Sequence, residues 1–263
     1  MYIFHLYGFF IGLGIVIGAW ISEQTRKTLD SKHSIINASI YDVLPWVVIP
    51  GILGARLYHV IDYWSYYSQN LTEIFYLWNG GLGIYGGILG GTVGLGIYLS
   101  IKVWKELKKK EIKEWFHCFT AQLFNWLDVI AFGLPLGQAI GRIGNYFNQE
   151  LYGLPTNLPW GIYINPENRL PGFAGFSKFH PLFAYEAIWD IIIFIILITI
   201  IKRKNKLRLG SYFFIYLGLY GLGRFFLEFL RINPWSIGRI NVAQGISTGV
   251  ILISLIFAGW RSL

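Results

Sequence analysis

Seven stretches of this sequence stay apolar for about 17 to 25 residues, the length that carries one helix across a hydrocarbon core of about 30 Å. They lie near residues 5–22, 40–61, 82–101, 118–140, 183–201, 210–229 and 242–260. The expected fold class is therefore all-α: a polytopic membrane protein of about seven transmembrane helices, with residues 1–263 forming a single integral membrane domain. Composition agrees, at 54% hydrophobic and only 14% charged. No Pro/Ser-rich linker, low-complexity tract or internal repeat divides the chain.

A net charge of +8 could point to nucleic acid, but most of the Lys and Arg sit in loops between apolar runs. One cluster is Arg26, Lys27 and Lys32, a second runs from Lys102 to Lys113, and a third, KRKNKLR, runs from Lys202 to Arg208. They close alternate loops, so the excess of positive charge on cytoplasmic loops predicts the N-terminus outside and the C-terminus in the cytoplasm. The partner implied is membrane lipid and not nucleic acid. The N-terminus lacks the basic start and small-residue cleavage site of a signal peptide, so the first run is expected to remain as a span.

The outer connections differ in character. Residues 62–80, DYWSYYSQNLTEIFYLWNG, carry no Lys or Arg but many Tyr and Trp, as in an interfacial aromatic belt, and are expected to form an arm along the outer surface. Residues 141–182 are the longest connection and are rich in Pro and Gly, which predicts a partly irregular outer head region.

Charge within or beside hydrocarbon costs about 3 kcal/mol per group on insertion scales, so each such group needs a partner, a cavity or a function. Four clusters gather at the outward ends of the spans. GARLYHVIDYW holds Arg56 and His59, and GRIGNYFNQE holds Arg142, Asn145, Asn148 and Glu150. HPLFAYE brings His180, Tyr185 and Glu186, and GRFFLEFLR brings Arg224, Glu228 and Arg231 at i, i+4, i+7, on one face of a continuing helix. Snorkelling or structural pairing accounts for one Arg–Glu pair but poorly for four clusters at one level. Arginines on the outer side also run against the topology rule. Arg56, Arg142, Arg224 and Arg231 are therefore assigned a binding role, and guanidinium donors suit the phosphate of a lipid.

Other features carry less. GLGIYG formally matches a dinucleotide-binding fingerprint, but no strand precedes it and it lies within a span, so its glycines are read as room for close helix approach or for a lipid tail against bare backbone, with Tyr85 in their midst. Asp128 is expected to cap or bond to a neighbouring helix, and Asp190, mid-span in AIWDIIIF, to have an interhelical partner. The single cysteine, Cys118, is read as a packing residue, and the histidines show no paired ligand spacing, so neither metal nor cofactor is expected.

GRIGNYFNQELYG closely resembles the signature of the bacterial prolipoprotein diacylglyceryl transferase family, roughly G-R-x-G-N-F-x-N-x-E-x-x-G. The resemblance extends through LYGFF, GARLYHV, GGLGIYGG, DVIAFGLPLGQAIGRIGN, HPLFAYE and YGLGRFFLEFLR, nearly the whole chain. It implies an enzyme of the bacterial cytoplasmic (inner) membrane with its active site toward the outer leaflet. Its partners would be phosphatidylglycerol and preprolipoprotein signal peptides with a lipobox cysteine, and the reaction would form a thioether and release glycerol 1-phosphate. An inactive lipid-binding relative and an anionic-solute transporter are the competing functions.

Carried over by position, the resemblance assigns catalysis to Arg142, Glu150, Arg224 and Glu228, with Tyr85 standing where many members have a histidine. Substrate binding falls to Arg142, Asn145 and Tyr7, joined by Arg56, Gln138, His180, Tyr185, Glu186 and Arg231. Arg142 and Arg224 would hold the phosphate, Asn145 would orient the head group, and Glu228 would align Arg224. The thiol needs a base, and tyrosine, with an ordinary pKa near 10, is a poor one. Glu150 is the first candidate and His180 the second.

Overall fold

The structure is a computed structural model, and it describes residues 6–29, 36–107, 111–203 and 207–260. Lys32, Lys108 to Lys110, Lys204 and Lys206 of the basic loops lie outside the described residues. In chain order the α-helices are α1 (Leu6–Leu29), α2 (Ile40–Asp62), α3 (Trp64–Tyr67), α4 (Ile84–Glu106), α5 (Ile112–Asn148), α6 (Leu182–Lys202), α7 (Ser211–Leu227) and α8 (Val242–Trp260). Two short antiparallel ribbons complete them: β1 (Ile162–Tyr163) with β2 (Lys178–Phe179), and β3 (Ser236–Ile237) with β4 (Ile240–Asn241).

Six of these helices, α1, α2, α4, α5, α6 and α7, are long and apolar enough to cross a bilayer, and α8 is a shorter apolar helix. Exposure follows the same logic. Ile188, Ile195 and Leu255 are 56–62% exposed, while Glu186, Asp190 and Glu228 are at most 8% exposed. Apolar groups outside and ionisable groups inside is the arrangement that a hydrocarbon solvent selects.

The chain forms two compact units, 1–29 with 127–263, and 30–126. In the second, α2 and α4 pack antiparallel through the glycines of both. A Cβ on Gly54 would come within 3.1 Å of the Gly90 Cα, so any side chain here would push the helices apart. The glycine run thus brings backbone against backbone, and Tyr85 sits beside Tyr58, ring centroids 6.0 Å apart.

Arg56 is buried in this unit and holds the arm. Its Nε donates to the Ile74 carbonyl at 2.9 Å, Nη1 to Gly80 at 2.8 Å and Gly81 at 3.1 Å, and Nη2 to the carbonyls of Glu73 and Tyr76. The five N–H donors of a guanidinium are thus met by five backbone carbonyls, and the Tyr67 ring lies 5.1 Å from its centre. The expectation that Arg56 binds substrate phosphate meets a side chain whose donors are all engaged within residues 73–81. Arg56→Ala should loosen this segment: limited proteolysis should cut residues 70–81 at least about tenfold faster than in the wild type, as expected if roughly 1.5 kcal/mol or more of charge-assisted bonding is lost. An unchanged cleavage rate would remove the clamp.

In the first unit α1 and α5 also approach through glycines, and a Cβ on Gly14 would fall 2.6 Å from the Gly137 carbonyl oxygen. Asp128 of α5 accepts from the backbone N–H of Gly210 at 2.7 Å and of Phe213 at 2.9 Å. It therefore caps α7 from another helix, meeting orphan donors with a carboxylate where the helix dipole favours negative charge. Phe132, Ile193, Leu197, Tyr212 and Tyr216 form the apolar core beneath.

Candidate active site

The polar signature belongs to a helix and not to a loop. α5 continues through Asn148, so the expected outer segment 141–182 begins with two helical turns, and Arg142 and Asn145 lie one turn apart on one face. The chain then reverses through Gln149 and Leu151, both at positive φ, 52° and 54°. The Gln149 side-chain oxygen accepts from Asn165 N at 2.8 Å and Asn168 Nδ2 at 3.0 Å, tying the reversal to the head.

The head is sewn to the ends of two helices by backbone bonds. Gly153 N donates to the His180 carbonyl at 2.8 Å, Leu154 N to Leu230 at 2.8 Å, and Phe183 N to Leu151 at 3.1 Å. Tyr152, Ile164, Phe179 and Ile232 form its own small core. Residues far apart in sequence are thereby delivered to one place: the end of α5, the start of α6 and the end of α7.

There they form a chain of ion pairs. Glu186 of α6 lies between two guanidiniums, 2.6 Å from Arg142 Nη2 and 3.3 Å from Arg224 Nη1. Arg224 Nη2 is 2.8 Å from Glu228, which is 3.9 Å from Arg231 Nη1 and accepts from Asn241 Nδ2 at 3.4 Å. Burial, then the Arg224 guanidinium, lower the Arg231 pKa below the ordinary guanidinium value, while Glu228 acts the other way. Like-charged crowding of this kind is relieved by an incoming anion. The expected continuous face for Arg224, Glu228 and Arg231 holds only in part: α7 ends at Leu227, Glu228–Leu230 tightens into a 3-10 turn, and Arg231 is extended, where Gly153 pairs with it.

A cavity opens beside these pairs, lined by Arg142, Glu186, Asp190, Tyr220 and Arg224 among others. The Arg142 Nε is buried without a protein hydrogen-bond partner among the described residues. An orphan guanidinium donor of this sort calls for an oxygen acceptor from a ligand.

The remaining expected site residues fall around this centre or apart from it. Asn145, 7% exposed, donates to Glu150 Oε1 at 2.9 Å, and Asn148 does so at 3.4 Å. Tyr7 lies against Gly144, where a Cβ would come within 2.9 Å of its ring. Gln138 accepts from the Tyr216 hydroxyl at 3.0 Å. The His180 Nδ1 is 3.2 Å from the Tyr185 hydroxyl, which also accepts from the exposed Trp160 at 2.8 Å. Tyr85 and Arg56 belong to the other unit.

Sequence reasoning missed two features of this site. Glu186 was placed beside substrate, and its position between Arg142 and Arg224 has no sequence signal, because three helices supply the three groups. Asn241, at the start of α8, could have been flagged as a polar group opening an apolar run. For Asp190, 3% exposed, the expected interhelical partner is no direct one: it makes no hydrogen bond or ion pair within the described residues, and Arg142 of α5 is the opposite charge that acts on it.

Comparison with known proteins bears on what this arrangement does. A family model described as prolipoprotein diacylglyceryl transferase matches residues 2–260. A protein from Trichormus variabilis, named phosphatidylglycerol–prolipoprotein diacylglyceryl transferase, is 38% identical over 97% of this chain and 84% of its own length. Proteins of the same name from Fervidobacterium nodosum and Finegoldia magna are 38% and 37% identical, over 97% and 95% of this chain and 79% and 88% of theirs.

Proposed function

The chain belongs to the prolipoprotein diacylglyceryl transferase family, and on that premise we propose that it transfers the diacylglyceryl group of phosphatidylglycerol to the lipobox cysteine thiol of preprolipoproteins. The thiol loses its proton, sulfur attacks the glycerol carbon bearing the phosphate, and the carbon–oxygen bond breaks with its electron pair going to phosphate. The products are a thioether and glycerol 1-phosphate. The observation that carries this reading is the pair Arg142 and Arg224 held on Glu186, with the Arg142 Nε free for an oxygen acceptor beside a cavity.

Each residue has a part in the proposed reaction. Arg142 and Arg224 bind the phosphate and take up the charge that develops on it as the bond breaks, the kind of stabilisation that is worth about 3 kcal/mol per donor. Glu186 and Glu228 fix the guanidiniums so that no reorganisation is needed during reaction. Asn145, donating to Glu150, holds that carboxylate in place, and Glu150 accepts the thiol proton through Oε2, which makes no hydrogen bond among the described residues. The ordinary thiol pKa near 8.5 makes a carboxylate sufficient when proton transfer accompanies attack. His180 is engaged with Tyr185 and serves the head. Tyr7, packed against Gly144, neighbours Asn145 and Glu150, and Arg231 adds positive charge near the leaving group. The basic clusters in alternate loops support an N-terminus outside and a site toward the outer leaflet of the bacterial cytoplasmic membrane, with residues 62–80 as an interfacial arm and the segment after Asn148 as an outer head.

The test is direct. Purified protein, phosphatidylglycerol and a lipobox peptide should give a diacylglyceryl thioether detectable by mass spectrometry; no product would reject the transferase reading. Within the same assay Tyr85→Phe should keep turnover within about threefold of the wild type, because its hydroxyl has no proton-transfer task. A loss of two orders of magnitude or more would move the base from Glu150 to Tyr85.

A further inference from the structure

Guanidiniums recognise phosphate, and every anionic phospholipid has one, so Arg142 and Arg224 do not by themselves select the alcohol beyond it. Phosphatidylglycerol differs from simpler phosphatidyl esters in the two hydroxyls of its head glycerol. Reading a hydroxyl requires an acceptor next to the phosphate site, and a buried acceptor kept for that purpose should be unpaired without its ligand.

Asp190 has these properties. It follows Glu186 by one turn on α6, so both carboxylates lie on the same face, and it lines the cavity with Arg142, Arg224 and Tyr220. The other carboxylates of the site are engaged: Glu186 and Glu228 with arginines, Glu150 with Asn145 and Asn148. Asp190 alone has neither hydrogen bond nor ion pair among the described residues, and it is 3% exposed. A buried unpartnered carboxylate is costly in a membrane helix unless something binds there. Arg142 lines the same cavity, and its buried Nε has no hydrogen-bond partner among the described residues. A hydroxyl can donate to the one and accept from the other.

Resting on the transferase reading above, we propose that Asp190 is the specificity-determining residue for the head alcohol, accepting a hydrogen bond from a hydroxyl of the head glycerol while the phosphate lies on Arg142 and Arg224. The diacylglyceryl chains then lead out toward the lipid, and the head alcohol lies beside Asp190 and Tyr220.

The experiment compares phosphatidylglycerol with phosphatidylpropanol of the same acyl chains, which keeps the phosphate and three head carbons but lacks the hydroxyls. The wild type should prefer phosphatidylglycerol by about ten- to a hundredfold in kcat/KM, the loss expected when a charged acceptor is left without its donor. Asp190→Leu, close to the same shape, should lose most of its activity on phosphatidylglycerol and keep that on phosphatidylpropanol within about twofold, so that the preference collapses. Equal use of both lipids by the wild type, or an equal loss on both in the variant, would overturn the proposal; the latter is the result expected of a general base. Should Asp190→Leu not fold, Asp190→Asn supplies the same ratio, expected lower than in the wild type and contradictory to the proposal if unchanged. No transfer from either lipid by the wild type would instead reject the transferase reading.

Discussion

Arg142→Ala should lower turnover at least about a hundredfold at saturating lipid, measured as thioether formed per enzyme by mass spectrometry. The argument is geometric. Arg142 makes the shorter of the two ion pairs with Glu186, at 2.6 Å, and adds what Arg224 does not, a buried Nε at the cavity without a hydrogen-bond partner among the described residues. If the guanidinium stabilises charge that appears only as the carbon–oxygen bond breaks, its loss falls on kcat more than on KM. Folding should survive, because Glu186 still has Arg224 at 3.3 Å and Asn145 still has Glu150. Arg142→Lys should be nearly as slow, since an ammonium cannot address Glu186 and an oxygen of the ligand in the fixed directions of a guanidinium. Turnover above a third of the wild type in Arg142→Ala would remove the arginine from the phosphate.

The second large effect is on stability. Glu186→Gln keeps the shape of the side chain but withdraws the one carboxylate that two arginines share, and its side chain is 9% exposed. Breaking a fully buried pair costs about 3–5 kcal/mol. Here the guanidiniums are 21–27% exposed and can reach solvent in part, so roughly 2–3 kcal/mol is expected. That corresponds to a fall of roughly 5–10 °C in the thermal midpoint, read by intrinsic fluorescence in detergent. Activity should fall with it by about an order of magnitude, because Arg142 and Arg224 would no longer be held at a fixed separation. A midpoint within 1–2 °C of the wild type would mean that the shared carboxylate does not hold the site together.

What the sequence made legible follows from what hydrocarbon penalises. Long apolar runs announced seven helices, of which six have membrane-spanning length and the last is shorter, and charge beside hydrocarbon announced the clusters around Arg142, Glu186 and Arg224 that the fold brings together. Asp128 was also readable as a bond to another helix, since a mid-span carboxylate has few other uses. The end of α5 was not: Gly141–Asn148 is polar enough to break a hydropathy run, yet it remains helical because its face toward Tyr7 and the ion pairs is supported by packing. Nor was the role of Arg56, whose partners are backbone carbonyls that any residue type carries. Pairings across helices were equally silent, because Glu186 meets Arg142 and Arg224 through the spatial order of three helices and not through spacing along one.

The arm clamp bears on how the protein is made. Arg56 leaves the ribosome with α2, whereas the carbonyls that satisfy it belong to residues 73–81 and follow 17 to 25 positions later. Until they arrive its guanidinium has no internal acceptor, and hydrocarbon offers none. The second unit is therefore best inserted as a hairpin, α2 waiting at the interface until the arm and the glycine face of α4 have been synthesised and can enter with it.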